Sequence, residues 1–345
     1  MILKIISDFL QLPTAQVEYL IILLIQEGFC QEIFYWEGAQ YDSKNIKNQS
    51  DLIEFLQAFC QSQWFKGHDR LKLPDNITSY KSKHYFSLFE GFGLTKTFSY
   101  TAQENPDFSV ILGSTELDTR SRVDSLKNDL LKGCWPKQNL IFGLGSNRQL
   151  GYSPLELEEE SKRKLLMQNQ KPTEMNMVTM QTSEMLRDLI LEDSTFSRLS
   201  YQAINTAFSE LKSFKEHRII TADTASSLKS FVENGSNFKE KKSVYIAIYS
   251  NQPYILRQHR DIQLTLGPDY KVVGVGAALN EVDFDCNDKS VGELFGEIAR
   301  LVNINYKADH LKNFDIALTQ AEIDKIGEIQ QMGNIEPSNY RFKYT

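Results

Sequence analysis

The chain has few of the features that mark several common protein classes. Its four cysteines form no C-x-x-C pair, so we expect no structural zinc site and a reduced compartment. Lysine and arginine total 38 against 45 acidic residues, and the resulting net charge of −7 disfavours nucleic acid as the main partner. The most apolar run, Tyr19 to Ile25, is too short to span a bilayer. These absences predict a cytoplasmic protein with no signal peptide and no membrane span.

The chain also lacks the best-known catalytic and cofactor motifs. No P-loop, H-E-x-x-H or G-x-S-x-G motif occurs. Gly143-Leu144-Gly145 begins a G-x-G-x-x-G pattern, but position 148 is Arg, and Gly274-Val275-Gly276 also fails the pattern. We therefore expect no conventional NAD site and no metal site, and no motif identifies a cofactor.

Alternating strands and helices predict the fold class beyond residue 106. A mostly parallel sheet covered by helices on both faces has this alternating order of elements along the chain, so we expect a Rossmann-like, three-layer α/β sandwich. In such sheets, ligands bind beyond the carboxyl ends of the strands. The predicted strands are Phe108 to Leu112, Leu140 to Phe142, 243 to 249 and Lys271 to Val275.

The prediction divides the chain into two parts. Residues 1–105 are expected to form a helical, aromatic-rich region packed on the core, with helices at 14–25 and 49–61 and an irregular segment after them. Residues 106–345 are expected to form the α/β domain, with insertions near 151–171 and 190–218. Helices are predicted there at 199–214 and at 224–232, and another begins at Pro172-Thr173-Glu174.

Three predicted strands end in small or polar residues, and an arginine follows each end. Small residues let the backbone approach a ligand, and a guanidinium can hold an oxyanion through two hydrogen bonds. The pattern therefore predicts an anion pocket at one edge of the sheet. The candidate ligand-binding residues are Gly113, Ser114 and Arg122 at the first strand, Gly145, Ser146 and Arg148 at the second, and Ser250, Asn251, Gln252 and Arg257 at the third.

The segment from Ser250 to Gln258 carries the strongest signal of the three. It follows the apolar run Val244 to Tyr249 and predicts a helix start with Ser250 or Asn251 as the cap and Pro253 in the first turn. Helix N-termini attract anions through free N–H groups and a partial positive charge. We therefore expect phosphate or carboxylate to bind here.

Two further helix starts contribute candidates. Glu174 either complements its helix dipole or faces a ligand as hydroxyl acceptor or general base. N-capping alone explains Asp223 and Thr224, which join the site only if the preceding segment ends at the same sheet edge. The structural alternative for the whole pattern is that the arginines pair with Glu174 or Asp223 as salt bridges.

These residues resemble the SanA/ElyC/YdcF-like family, a domain of unknown function with a Rossmann-like sheet, over roughly residues 106 to 280. The chain departs from the pattern at Gln252-Pro253-Tyr254, where common members have a histidine, so it resembles a divergent branch. The resemblance implies an α/β protein that binds a small molecule or nucleotide. The matching residues are Gly113, Arg122, Gly145, Thr173-Glu174, Thr221-Ala222-Asp223-Thr224, and Ser250 with Arg257.

Together these patterns predict a protein that binds a small anionic ligand, such as a nucleotide or phosphorylated metabolite, at the carboxyl edge of the sheet. If the protein is an enzyme, hydrolysis or transfer at a phosphoryl or glycosyl centre fits best, with Glu174 as the base. The alternative is a non-enzymatic interaction protein that uses the fold as a scaffold and binds a protein partner through residues 1–105.

Overall fold

The computed structural model describes residues 2–29, 33–65, 79–100, 105–151, 157–206, 221–235, 243–279, 288–308 and 316–332. The chain groups into two compact units, Thr97–Leu279 and the combination of Met1–Lys96 with Asn280–Thr345. The first boundary lies near the predicted one at residue 105. Residues 280–345 were predicted to belong to the α/β domain, whereas by their contacts they group with the N-terminal unit.

The helices and strands alternate beyond residue 106 as expected. The described helices are α1 (Ile2–Leu10), α2 (Thr14–Gln26), α3 (Gln49–Phe59), α4 (Ser79–Phe92), α5 (Glu116–Leu131), α6 (Glu159–Met167), α7 (Glu174–Glu192), α8 (Thr221–Asn234), α9 (Ile255–Leu266), α10 (Asp288–Lys307) and α11 (Gln320–Met332). The described strands are β1 (Phe34–Trp36), β2 (Ala39–Tyr41), β3 (Phe108–Leu112), β4 (Leu140–Ser146), β5 (Ser200–Thr206), β6 (Val244–Tyr249) and β7 (Tyr270–Val275).

The unit made of Met1–Lys96 and Asn280–Thr345 is helical, with one small hairpin of β1 and β2. Its aromatic side chains form a buried cluster in which Phe89 and Tyr85 of α4 pack on Phe295 of α10, with ring centroids 5.0 and 5.6 Å apart. The prediction of an irregular segment was wrong over α4, because aromatic burial against another helix outweighs weak local helix preference. Among the described residues, no single helix has the length and apolarity of a membrane span, although α1 and α2 together meet these criteria as a pair bent by 111°.

The unit Thr97–Leu279 is built on a five-stranded sheet in the order β5-β4-β3-β6-β7. Every neighbouring pair is parallel. Helices α5 and α7 cover one face, and α8 and α9 cover the other, so β3 buries Ile111 on one side and Val110 and Leu112 on the other. The predicted three-layer α/β fold is confirmed.

Strand β5 corrects the prediction of a helix over residues 199–214. Residues 200–206 pair with β4 from Leu140↔Ser200 to Ser146↔Thr206, and residues 207–214 lie outside the described part of the chain. Part of the predicted insertion at 190–218 is therefore a strand of the main sheet. Its side chains are mostly exposed at the sheet edge, so the sequence shows no continuous apolar run, and only the ladder with β4 makes it a strand.

The strand order creates a topological switch point between β3 and β6. From β3 the chain proceeds outward through β4 to β5, and it then returns to the other side of β3 to form β6 and β7. The connections after β3 and β6 therefore leave their adjacent carboxyl ends toward opposite sides. Open α/β sheets bind ligands in the crevice at such a point. The end of β3 at Gly113 and the end of β6 at Ser250 lie beside it.

Candidate functional site

The site begins where β3 turns into α5. Thr115 is the N-cap of α5 and accepts a hydrogen bond from the backbone N–H of Asp118 at 3.4 Å. Thr119 lies inside the helix, and its hydroxyl accepts a hydrogen bond from the N–H of Ser114 at 3.1 Å. The side chains at 118 and 122 are one helical turn apart, so they share the face beside the switch point.

Arg122 lies at the switch point, where it contacts the ends of both strands. It is only 1% exposed. Its Nε donates to Oδ1 of Asn251 at 2.7 Å, and its Nη1 donates to the carbonyl oxygens of Leu112 at 2.7 Å and Gly113 at 3.1 Å. Among the residues that the structure describes, none accepts a hydrogen bond from Nη2, and no carboxylate forms an ion pair with the guanidinium. Arg122 is therefore a buried cation held by neutral groups.

The electrostatics show which groups gather around Arg122. Burial lowers the pKa of the Arg122 guanidinium from its usual value. Asp118, Tyr254 and Glu174 oppose this lowering of the pKa, and the positive charge of Arg257 adds to it. Groups from α5, α7 and the start of α9 thus act on the same buried charge.

Asn251 connects the two sides of the switch point. Its Nδ2 donates to Oδ1 of Asp118 at 2.8 Å and to the carbonyl oxygen of Gln252 at 3.1 Å, while its Oδ1 faces Arg122. The hydroxyl of Ser114 donates to the other oxygen of Asp118 at 2.8 Å. We call Ser114, Asp118, Arg122 and Asn251 the switch-point cluster. Asp118 was missed by the sequence analysis, although its spacing of four residues from Arg122 on a helix was a usable signal.

The turn after β6 differs from the prediction. Neither Ser250 nor Asn251 caps a helix, because α9 begins only at Ile255, with Tyr254 at the N-cap position and no side-chain cap. The Ser250 hydroxyl instead donates to the Gln258 side chain, and the buried Gln252 precedes Pro253 through a cis peptide bond. The bond from Ser250 to Gln258 of α9, and those of Asn251 with Asp118 and Arg122 of α5, occupy the two side chains that the sequence assigned to capping.

The end of β4 forms a salt bridge with the start of α7. Arg148 Nε donates to Oε1 of Glu174 at 2.7 Å, and the Ser146 hydroxyl donates to Oε2 at 2.6 Å. Both oxygens of Glu174 are therefore engaged within the protein. Gly145 lies against the backbone of Met175, which allows this close approach. At this strand end, Arg148 therefore pairs with Glu174, as predicted by the alternative in which the arginines form structural salt bridges.

Arg257 lies on α9, and its side chain reaches the start of α8. Its Nη1 is 3.6 Å from Oδ2 of Asp261 and donates to the Thr221 hydroxyl at 3.4 Å. The start of α8 therefore lies beside Arg257. Asp223 is in the first turn of α8, and the Thr224 hydroxyl donates to the Thr221 carbonyl oxygen at 2.8 Å. The segment before Thr221, on which a site role for Asp223 and Thr224 depends, lies outside the described residues.

Comparisons with known proteins add no assignment. No protein-family model matches the chain. No curated protein and no solved structure matches it either. The resemblance to the SanA/ElyC/YdcF-like family therefore stays a prediction, which rests on the residues quoted for it. Within the described ranges, no group of three or more His, Cys, Asp or Glu side chains is placed to hold a metal ion.

His259 is a packed residue on α9. Its Nε2 lies 3.0 Å from the carbonyl oxygen of Val272 in β7, so Nε2 carries the proton. Burial lowers the pKa of His259 from its usual 6.5, the hydrogen bond to Val272 opposes this, and the charge of Arg260 adds to it. His259 therefore stabilises the unit in its neutral form.

We expect the stability of the α/β unit to fall as the pH decreases below 6.5, because the unfolded chain then binds a proton that folded His259 accepts only at lower pH. This stability is complete above the unfolded-state pKa and is lost as the pH falls through the lower folded-state pKa. Urea midpoints measured between about pH 7.5 and pH 5 should vary less in His259→Gln than in the wild type. Equal pH dependence in the two proteins would contradict the assignment.

Proposed function

We propose that this protein binds a small anionic ligand, such as a nucleotide or another phosphorylated metabolite, in the crevice between the carboxyl ends of β3 and β6. The observation that carries the proposal is Arg122, which is buried at the switch point without an ion-pair partner among the described carboxylates. The resemblance to a family with implied small-molecule or nucleotide binding points in the same direction.

The energetic argument starts from the cost of a buried charge. Removing a cation from water costs several kcal/mol unless an opposite charge or enough hydrogen bonds compensate it. The three acceptors of Arg122 are neutral oxygen atoms, and its pKa is lowered by burial. An anion in the crevice would supply the missing negative charge and an acceptor for Nη2. Anion binding would therefore offset the free-energy cost of burying the Arg122 guanidinium.

The surroundings favour a phosphate-sized anion over a large apolar ligand. Tyr254 is partly exposed beside the switch point and carries a hydroxyl group. Arg257 adds a second positive charge that acts on Arg122. Phosphate oxygens accept hydrogen bonds from guanidinium and hydroxyl donors of this kind.

Glu174 fits a positioning role better than that of a free base. A general base needs an oxygen that can approach the substrate proton, whereas Ser146 and Arg148 already donate to the two carboxylate oxygens. Hydrolysis or transfer by Glu174 would require at least one of these bonds to open. Ligand binding is therefore the function proposed, and the proposal includes no reaction.

Thermal unfolding of the wild type with added anions tests the proposal. We expect sodium phosphate, AMP or UDP-glucose to raise the unfolding midpoint relative to sodium chloride at equal ionic strength. A ligand that binds only the folded state stabilises it by about 2.7 kcal/mol at one hundred times its Kd. If none of these anions raises the midpoint, the anion site is abandoned and the interaction-protein alternative is favoured.

A further inference from the structure

The switch-point cluster contains a second charge without a direct partner. Asp118 accepts hydrogen bonds from the Asn251 amide and the Ser114 hydroxyl, one on each oxygen. Among the described residues, no lysine or arginine forms an ion pair with it. A carboxylate offers about four acceptor positions, so Asp118 retains capacity for further donors. Its side chain is partly exposed beside the crevice.

Asn251 lies between Arg122 and Asp118, and the two side chains form no direct ion pair. The two side chains come from one face of α5, where arginine and aspartate four residues apart commonly form an ion pair. Here the amide of Asn251 lies between them, accepting from Arg122 at 2.7 Å and donating to Asp118 at 2.8 Å. The cluster consequently presents a donor and an acceptor side by side.

A simple anion would satisfy only one side of this arrangement. Its negative charge would be attracted to Arg122 and repelled by the carboxylate of Asp118. A ligand with a hydroxyl group close to its anionic group would donate to Asp118 while its anion faces Arg122. Sites built to bind a ligand hydroxyl discriminate strongly against analogues that lack it, because a buried polar group then loses its partner.

We propose that the ligand is a hydroxyl-bearing phosphate ester, with its phosphate directed to Arg122 and a hydroxyl group bound by Asp118. This inference rests on the proposed function, because it identifies the class of anion that the same crevice takes. Asp118 acts here as the residue that selects the hydroxyl group, and Asn251 positions Asp118 and Arg122 relative to each other.

Glycerol 3-phosphate and n-propyl phosphate test the inference, since they differ only in two hydroxyl groups. In isothermal titration of the full chain, the Kd of glycerol 3-phosphate should be lower than that of n-propyl phosphate by a factor of about ten or more. This is the expected effect of a hydrogen bond to a charged group. In Asp118→Asn the ratio of the two Kd values should fall to about threefold or less, with propyl phosphate binding more tightly because the repelling charge is gone. Asp124→Asn, an exposed change on the same helix, should retain the wild-type ratio.

The outcomes separate this inference from the function on which it rests. Equal Kd values for the two esters in the wild type would overturn the hydroxyl proposal and leave anion binding intact. A preference that survives unchanged in Asp118→Asn would overturn the role of Asp118. If neither ester nor inorganic phosphate binds, both proposals fail. The wild-type comparison decides the question even if Asp118→Asn does not fold.

Discussion

Replacing Arg122 with methionine is expected to abolish stabilisation by phosphate. The variant removes the one buried cation of the described switch-point cluster, and with it the charge that makes the crevice attractive to an anion. We also expect the free energy of unfolding without ligand to fall by about 1–3 kcal/mol. Asn251 and two carbonyl oxygens lose their buried donor, and relief of the desolvated charge offsets part of that loss.

Arg187→Met is the matched control for this prediction. Arg187 lies on α7 with 67% of its side chain exposed, and its nearest carboxylate is that of the adjacent Asp188. Its replacement should change stability by less than about 0.5 kcal/mol and leave the phosphate response intact. Thermal and urea unfolding with and without phosphate measure both effects. A folded Arg122→Met protein that phosphate still stabilises as well as the wild type would contradict the assignment.

If Arg122→Met does not fold, Arg257→Met supplies the second measurement. Arg257 is held by contacts along α9 and with Thr221, and its charge acts on Arg122 from the side of the crevice. Its loss should weaken phosphate binding without removing the central guanidinium. An unchanged phosphate Kd in this variant would exclude Arg257 from the site.

Gly145→Ala is expected to be the most damaging small substitution in the α/β unit. A Cβ atom at Gly145 would lie 2.8 Å from the Cα and 2.9 Å from the backbone nitrogen of Met175, so the first turn of α7 would have to move. Overpacking of this kind costs about 1–3 kcal/mol and sometimes more. Because Glu174 lies in the displaced turn, we also expect its bonds to Ser146 and Arg148 to be disturbed.

Gly296→Ala is the control: it makes the same chemical change, but its expected effect on stability has the opposite sign. Apart from its chain neighbours and the nearby backbone of α10 itself, no heavy atom lies within 4 Å of a Cβ built at Gly296. Alanine is a better helix former than glycine by about 1 kcal/mol, so this variant should be slightly more stable than the wild type. Urea unfolding followed by circular dichroism distinguishes the two. If Gly145→Ala were as stable as Gly296→Ala, the close approach of β4 and α7 would not be rigid.

Much of the fold follows from local patterns in the chain. The apolar run Phe108 to Leu112 matches β3 residue for residue, and Thr173 caps the helix that begins at Glu174. These predictions succeed because burial on both sheet faces demands an uninterrupted apolar run, and a cap needs only neighbouring residues. Helix α4 and strand β5 were not predicted, since distant packing and a ladder with another strand stabilise them.

In the candidate site, too, local patterns predicted some features and distant contacts decided the others. The sequence identified the glycine and arginine residues at three strand ends, but it treated the three arginines as equivalent. In the structure, Arg148 is paired with Glu174, Arg257 lies near Asp261, and only Arg122 is buried among neutral oxygens. No spacing rule distinguishes these outcomes, because the decisive partner of Arg122 is 129 residues away.

By itself, the sequence determined the three-layer α/β architecture and the edge of the sheet at which polar residues collect, because periodicity and capping depend on neighbours along the chain. The tertiary structure alone decided which arginine is buried without a direct ion-pair partner and which carboxylate lies beside it. The reason is that Asn251 reaches across the switch point from β6 and separates two residues on α5 that local geometry would have allowed to pair.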